Sequence, residues 1–408
     1  MNKLPAGWEI KKLKDICTIQ DGIHKTPKYT SKGIKFVSVE NINDLYNSNK
    51  FISEEDYNKM YKIKAKKNDI FMTRIGDIGT PAILNKDEKL AYYVTLCLFT
   101  NIDEEVFNKY LYYAIQSNYF KKELYYRTLH VAFPKKINLG DIGDCKFILP
   151  PLDEQKRIAS ILSALDDKIE LNNKTNKILE EMAQTIFKEW FINFNFPNED
   201  GKPYKKSGGE MIDSELGKIP KGWKVITLKD IISIAKGKKP NATSDKITEK
   251  FTMPYLTINC YNNEATEYTE YNEKMHVKEL YIVMVMDGNA GKIFYGKEGI
   301  LSSTMAKLIV EDSNLNELVF YFLKSIEYDL MYHTVGSVIQ HADKQYMLNK
   351  KFCVSSDNLE RLSDIFKCIR KEISLNKKEN EKLSNIRDSL LPKLMTPKGR
   401  RADGEIRI

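Results

Sequence analysis

Long apolar runs are missing from this chain of 408 residues. The longest, Leu280-Tyr-Ile-Val-Met-Val-Met286, falls far short of the ~20 residues that span a bilayer. Residues 1–14 lack the apolar stretch of a secretory signal. No Cys-x-x-Cys occurs, and the cysteines (Cys17, Cys97, Cys145, Cys260, Cys353, Cys368) are scattered, with no histidine near them at ligand spacing. The expectation is a reduced cytoplasmic chain with no membrane association and no metal site, its cysteines packed as small hydrophobes. Catalytic signatures are missing too. Gly288-Asn-Ala-Gly291-Lys292 looks like a phosphate loop, but it lacks the leading glycine spacing and the Ser/Thr after Lys. No G-x-G-x-x-G, H-E-x-x-H or Asn/Asp-Pro-Pro-aromatic motif is present. No catalytic residue is therefore assigned.

What is present is a mild basic excess, 64 Lys+Arg against 56 Asp+Glu, with 23 Tyr and 18 Phe, which is too aromatic for a disordered chain. The excess of +8 suits a polyanion partner and equally a Lys-rich solvated surface. The decisive feature is an internal repeat. Leu4-Pro-Ala-Gly-Trp-Glu-Ile-Lys-Lys-Leu-Lys-Asp-Ile16 returns as Ile219-Pro-Lys-Gly-Trp-Lys-Val-Ile-Thr-Leu-Lys-Asp-Ile231, and Gly22 falls on Gly237 at the same offset of 215. Arg74-Ile-Gly-Asp-Ile-Gly79 aligns with Met286-Asp-Gly-Asn-Ala-Gly291, Tyr110 with Leu318, and Lys146-Phe147 with Lys351-Phe352. The tryptophans Trp8 and Trp223 sit in apolar segments and read as core anchors.

Each copy ends in a long helical pattern. Ile158, Leu162, Leu165, Ile169, Leu179, Ala183, Ile186 and Trp190 follow alternating steps of three and four. Leu362, Phe366, Ile369, Ile373, Leu383 and Leu390 repeat them 204 residues later, broken by Arg387 and a late Leu394. This is a coiled-coil seam. Asn172 and Asn176 fill the gap in the first seam, and Asn376 and Asn380 in the second. Such polar positions fix register at a cost in stability. Antiparallel packing sets Asn172 beside Asn380 and Asn176 beside Asn376; parallel packing sets Asn172 against Asn376.

The fold class expected is α+β: two pseudo-repeated α/β domains joined by two long helices in an antiparallel coiled coil. The division is 1–150 for the first domain, 151–195 for its helix and 196–218 for a linker rich in Pro, Gly, Asn and Ser. The second domain follows at 219–354, its helix at 355–396 and a basic tail at 397–408. Strands are expected near 33–39, 69–72, 81–84 and 94–99, then 255–258, 281–285 and 306–310, in a largely antiparallel sheet. Helices are expected near 104–117 and 315–325.

Four features together carry a resemblance: the paired Pro-x-Gly-Trp starts, Pro150-Pro-Leu-Asp-Glu-Gln-Lys-Arg-Ile158, Asp200-Gly-Lys-Pro-Tyr-Lys-Lys-Ser-Gly-Gly-Glu-Met211 and Leu390-Leu-Pro-Lys-Leu-Met395. Over essentially its whole length the chain resembles the specificity subunit of Type I DNA restriction–modification systems. The second domain departs from the pattern, with Ser355-Ser-Asp357 where the first has Pro150-Pro-Leu-Asp153. The resemblance implies two target-recognition domains, each reading half of a bipartite site in double-stranded DNA, and helices that space the halves. It implies as partners two modification (methyltransferase) subunits, bringing S-adenosylmethionine, and restriction (translocase and endonuclease) subunits, using ATP and Mg. This chain would carry no cofactor and no catalysis of its own.

The candidate DNA-binding residues lie in loops that repeat in register. They are Lys25 and Lys28 after Gly22, Arg74 before Gly76, and Arg127, His130, Lys135 and Lys136 near the end of the first domain. In the second they are Lys236, Lys238 and Lys239 around Gly237, Asn289 in the Gly288 turn, and Gln340, His341 and Lys344. Lysine and arginine suit phosphates; amides, hydroxyls and imidazoles suit base edges. Residues 217–356 contain no arginine, so the second domain lacks the bidentate Arg–guanine contact. Residues 1–150 hold 24 basic and 18 acidic side chains, and residues 219–354 hold 17 and 16, which implies weaker phosphate attraction in the second domain. A scaffold that binds proteins, or an enzyme in its own right, are the rival readings: the first would assemble without DNA, the second would act alone on metal and methyl donor.

Overall fold

The computed structural model describes residues 4–128, 133–261, 265–279, 281–336, 340–355 and 359–396, apart from the side chain of Leu362. The chain divides into two compact units, residues 1–172 with 378–408, and residues 173–377. No helix among the described residues is long and apolar enough to cross a membrane.

In the first unit, a four-stranded antiparallel sheet runs in the order Thr18–Asp21, Leu96–Thr100, Ile70–Ile75, Asp77–Ile83. A smaller sheet places Ile34–Val37 between Phe51–Ile52 and, in parallel, Leu90–Tyr92. The residues that start and end the globular part, Glu9–Lys12 and Lys146–Leu149, pair with each other as an antiparallel ribbon. The expected helix at 104–117 is Asn108–Gln116, and a second, Asn118–Arg127, follows at once. Ser117 divides them: its extended backbone ends the first helix, and its hydroxyl accepts from Phe120 N at 3.3 Å.

The second unit repeats this plan. Its main sheet is ordered Ile232–Lys236, Met305–Val310, Ile282–Val285, Ile293–Tyr295. Its smaller sheet again has one parallel pair, Met253–Leu256 with Gly299–Leu301. Trp223–Thr227 pairs with Lys351–Ser355 as the closing ribbon. Strand order and the parallel pair are thus duplicated along with the sequence. Trp8 and Trp223 are both buried, as the apolar context of each predicts.

The long helices are Leu152–Phe187, continued by a wider π turn over Lys188–Ile192, and Leu359–Leu394. Within the first unit, Asn172 Nδ2 donates to Asn380 Oδ1 at 2.8 Å and to Glu379 Oε2 at 2.7 Å, while Lys168 Nζ donates to Asn172 Oδ1 at 3.0 Å. Within the second, Asn376 Nδ2 donates to Asn176 Oδ1 at 2.9 Å. Paired positions sum to a constant in both units, so the helices run antiparallel and each asparagine meets the partner that this packing dictates. Both seam breaks have a cause in the first unit. Arg387 pairs with Asp166 at 2.8 Å, and Asp166 also accepts from Tyr113 at 2.6 Å. Leu394 is buried in the domain core beside Ile158 and Leu162.

Two clamps fasten helix to domain. In the first unit, Gln155 of the Pro-Pro-Leu-Asp-Glu-Gln segment is buried; its amide donates to the carbonyls of Glu105 and Pro150 at 2.9 and 2.8 Å and accepts from Phe107 N at 2.8 Å. In the second, Arg370 and Glu317 form a buried ion pair at 2.7 Å. The Arg370 guanidinium lies 3.6 Å from the Tyr295 ring centroid, and the Tyr295 hydroxyl donates to Glu317.

The segment 196–218, whose composition reads as a linker, is folded in the second unit. Phe196 stacks on Trp223 with ring centroids 4.9 Å apart, Tyr204 stacks on Phe196 at 4.7 Å, and Met211–Ser214 pairs with Gly217–Pro220. Two aromatic anchors outweigh the turn-forming residues between them. Cys97, Cys145, Cys260 and Cys353 are buried, and burial pushes the Cys97 thiol up to about 12; Cys368 is exposed instead.

Candidate nucleic-acid interface

The loops singled out in the sequence meet at one end of the main sheet in each unit. In the first, the hairpin turn at Gly76 joins the 133–137 segment: Gly76 N donates to Lys135 O at 2.8 Å, and Ile137 N donates to Arg74 O at 3.1 Å. In the second, Gly288 N donates to Gln340 O at 3.1 Å, and Ala342 N donates to Met286 O at 2.8 Å. These pairs are equivalent under the repeat. The edge carries exposed Lys135 and Lys136 in one unit, and exposed Asn289, Gln340 and His341 in the other. Lys344 is exposed at the start of the short helix that Asp343 caps.

The neighbouring loop is fixed by close backbone approach. A Cβ on Gly22 would lie 2.3 Å from Tyr92 O, and one on Gly237 would lie 2.2 Å from Ser302 O. Only glycine lets the chain turn here. Exposed Lys25 and Lys28 follow the first, and exposed Lys236, Lys238 and Lys239 flank the second.

Two expected positions differ. Arg74 does not face outward. Its side chain is 8% exposed, and its guanidinium donates to Ile137 O at 3.2 Å and Val94 O at 3.1 Å, with Asp21 3.6 Å away. Its strand is covered on both faces, so the arginine is held inside and fastens the loop junction rather than presenting itself to a ligand. Arg127 is half-buried and ion-paired with Glu123 at 3.0 Å. His130 lies outside the described residues.

Sequence reasoning also missed a pattern. In the first unit, Asp21 accepts from His24 Nε2 at 2.6 Å and faces the cation of Arg74. In the second, Asp287 accepts from His341 Nδ1 at 2.7 Å and pairs with Lys236 at 3.1 Å. Asp21 and Lys236 occupy the same repeat position, whereas Asp287 stands one residue beyond Met286, the equivalent of Arg74, so the second unit takes its acid from the hairpin turn instead. Burial raises the Asp287 carboxyl, and the hydrogen bonds from His341 and Lys236 more than offset it, leaving it below the usual carboxylate range. The sequence signal was available in part: His24 lies two residues after Gly22, beside Lys25. Among the described residues no group of three His, Cys, Asp or Glu is placed to hold a metal ion.

A family model described as the Type I restriction modification DNA specificity domain matches twice, at residues 5–181 and 220–385. The Type I restriction enzyme MjaIX specificity subunit of Methanocaldococcus jannaschii is 26% identical over 439 residues, covering 100% of this chain and 95% of that protein. The Type I restriction enzyme HindI specificity subunit of Haemophilus influenzae is 23% identical over 433 residues, covering 87% and 92%. Among solved structures, the S subunit of a Type I restriction-modification system from M. genitalium matches 97% of each chain, with a TM-score of 0.59 and 17% identity, a likeness of fold.

Proposed function

Since the chain belongs to the Type I restriction–modification DNA specificity family, we propose that its two units read the two halves of a split target in double-stranded DNA through the paired loop edges described above. It is a specificity subunit with two recognition domains, a component that supplies address rather than chemistry. The observation that carries the reading is the duplicated junction. Gly76 with Lys135 and Gly288 with Gln340 gather basic and amide side chains at the same place on two copies of one sheet.

Methylation then belongs to modification subunits using S-adenosylmethionine, and cleavage to restriction subunits using ATP and Mg. The long helices serve as spacer and as the docking surface for the modification subunits. Ile178 and Met182 of the second unit support this: they are exposed along the first long helix, four residues apart. Exposed apolar stripes of this kind mark partner contacts. Thiols without disulfides fit a cytoplasmic setting.

Co-expression with modification subunits, followed by mapping of methylated adenines, tests the reading. A split motif is expected, while the purified chain alone leaves DNA unmodified. DNA binding that is absent, or insensitive to salt, favours a protein scaffold instead.

A further inference from the structure

Among the described residues, each unit presents an imidazole at its loop edge, and a carboxylate of the same unit fixes its orientation. The His24 side chain is 71% exposed and the His341 side chain 51%, whereas Asp21 and Asp287 behind them are 17% and 21% exposed. An ionised carboxylate only accepts hydrogen bonds, so the ring nitrogen facing it carries the proton. In the neutral ring the other nitrogen is then an acceptor: Nδ1 in His24 and Nε2 in His341. The two arrangements arise from different elements. His24 follows the Gly22 turn, and His341 lies on the strand paired with Val335. Their recurrence at positions that the repeat does not relate, with Arg74 near the carboxylate in one unit and Lys236 in the other, is not a remnant of the repeat. It is the same device assembled twice.

We infer that His24 and His341 are specificity-determining residues, each offering its outer ring nitrogen as an acceptor to a base that carries an exocyclic amine, with Asp21 and Asp287 as positioning residues. The inference rests on the recognition role proposed above. In the major groove, adenine N6 and cytosine N4 donate, whereas guanine N7 and O6 and the phosphates only accept. A neutral imidazole held in this way selects adenine or cytosine and discriminates against guanine. The second domain, with no arginine in residues 217–356, thereby has a base reader of opposite polarity to the Arg–guanine pair.

The test uses the subunit assembled with its modification subunits on a library of randomised DNA, scored by which sequences become methylated. A wild-type complex that yields no split motif refutes the recognition role itself. Given a split motif, His341→Ala is expected to relax one A- or C-specific position in one half-site by about tenfold, leaving the other half unchanged. His24→Ala should do the same in the opposite half. Asp287→Asn should relax the same position as His341→Ala, and Asp287→Glu should restore preference there, which a merely structural role would not produce. An unchanged motif in both histidine variants overturns the inference. So does a uniform loss of methylation with base preference intact, or relaxation at a position that demands guanine.

Discussion

The two recognition units share strand order, closing ribbon and loop junction, yet they fasten their helices differently. The first unit uses the neutral, buried Gln155 together with the half-exposed Asp166–Arg387 pair, 28% and 30% exposed. The second uses Arg370 and Glu317, 5–10% exposed, under the Tyr295 ring. Duplicated sequence has thus kept the backbone plan and replaced the polar contacts. The loop edges show the same lesson: the acid at position 21 gives way to a base at 236, the acid comes from the hairpin turn at 287, and the imidazole is still presented. Positions inside this scaffold constrain pairing, not sign.

The clamp comparison is the easiest to break. Glu317→Gln leaves the buried Arg370 charge without its carboxylate, with only the Glu279 carbonyl and the Tyr295 ring beside it, and should destabilise the second unit by about 3–5 kcal/mol in denaturant unfolding. Asp166→Asn in the first unit should cost only about 1 kcal/mol, because solvent screens that pair. Equal losses would show that burial does not distinguish the clamps.

Arg74→Met comes next. It strands the carbonyls of Ile137 and Val94 and should cost about 1–3 kcal/mol, read from the unfolding midpoint. A folded variant should keep its half-site preference, and a changed preference at guanine would restore Arg74 as a reader.

The charge difference between the units is smaller in effect. Lys135→Ala with Lys136→Ala, or Lys238→Ala with Lys239→Ala, should each lower the salt dependence of DNA affinity by about two phosphate equivalents. The loss should be shared uniformly across sequences. A change confined to one base pair would mark a direct contact instead.

The smallest effect lies at low pH. In the first unit, hydrogen bonds from Lys14 and Lys12 hold the Asp144 carboxyl down to about 2. In the second, Lys350 holds Asp329 below the usual range. A carboxylate with a depressed folded pKa stabilises fully above its unfolded pKa of about 4, and the contribution fades as pH falls through the folded value. Asp144→Asn should therefore remove a small stabilisation at neutral pH and flatten the acid limb of the stability profile between about 4 and 2, the difference from the parent protein vanishing as pH falls. Circular dichroism across that range checks it.

Much of this architecture is legible in the chain. Repeated Pro-x-Gly-Trp segments locate two domains, and four asparagines give each helix direction its own set of partners, of which the antiparallel set is the one observed. The glycines at 22, 76, 237 and 288 mark the loops that converge. Other features are silent for physical reasons. Arg74 stands in a strand buried on both faces, so period-two alternation gives no sign of which way it points. The Asp21–His24 and Asp287–His341 pairs depend on χ angles and on strand pairing across 54 residues in the second case. The 196–218 segment resembles a linker because composition counts residues, whereas Phe196 acts through stacking on Trp223 and Tyr204 through stacking on Phe196.

The ribbons that close each unit have one more consequence. Glu9–Lys12 lies against Lys146–Leu149, and Trp223–Thr227 against Lys351–Ser355, so the polypeptide enters and leaves each globular domain side by side. Recombination with breakpoints in those strands would transplant a whole reader as a cartridge and leave the helices where they were. New addresses can then arise by exchange between genes, without rebuilding the machine that acts on them.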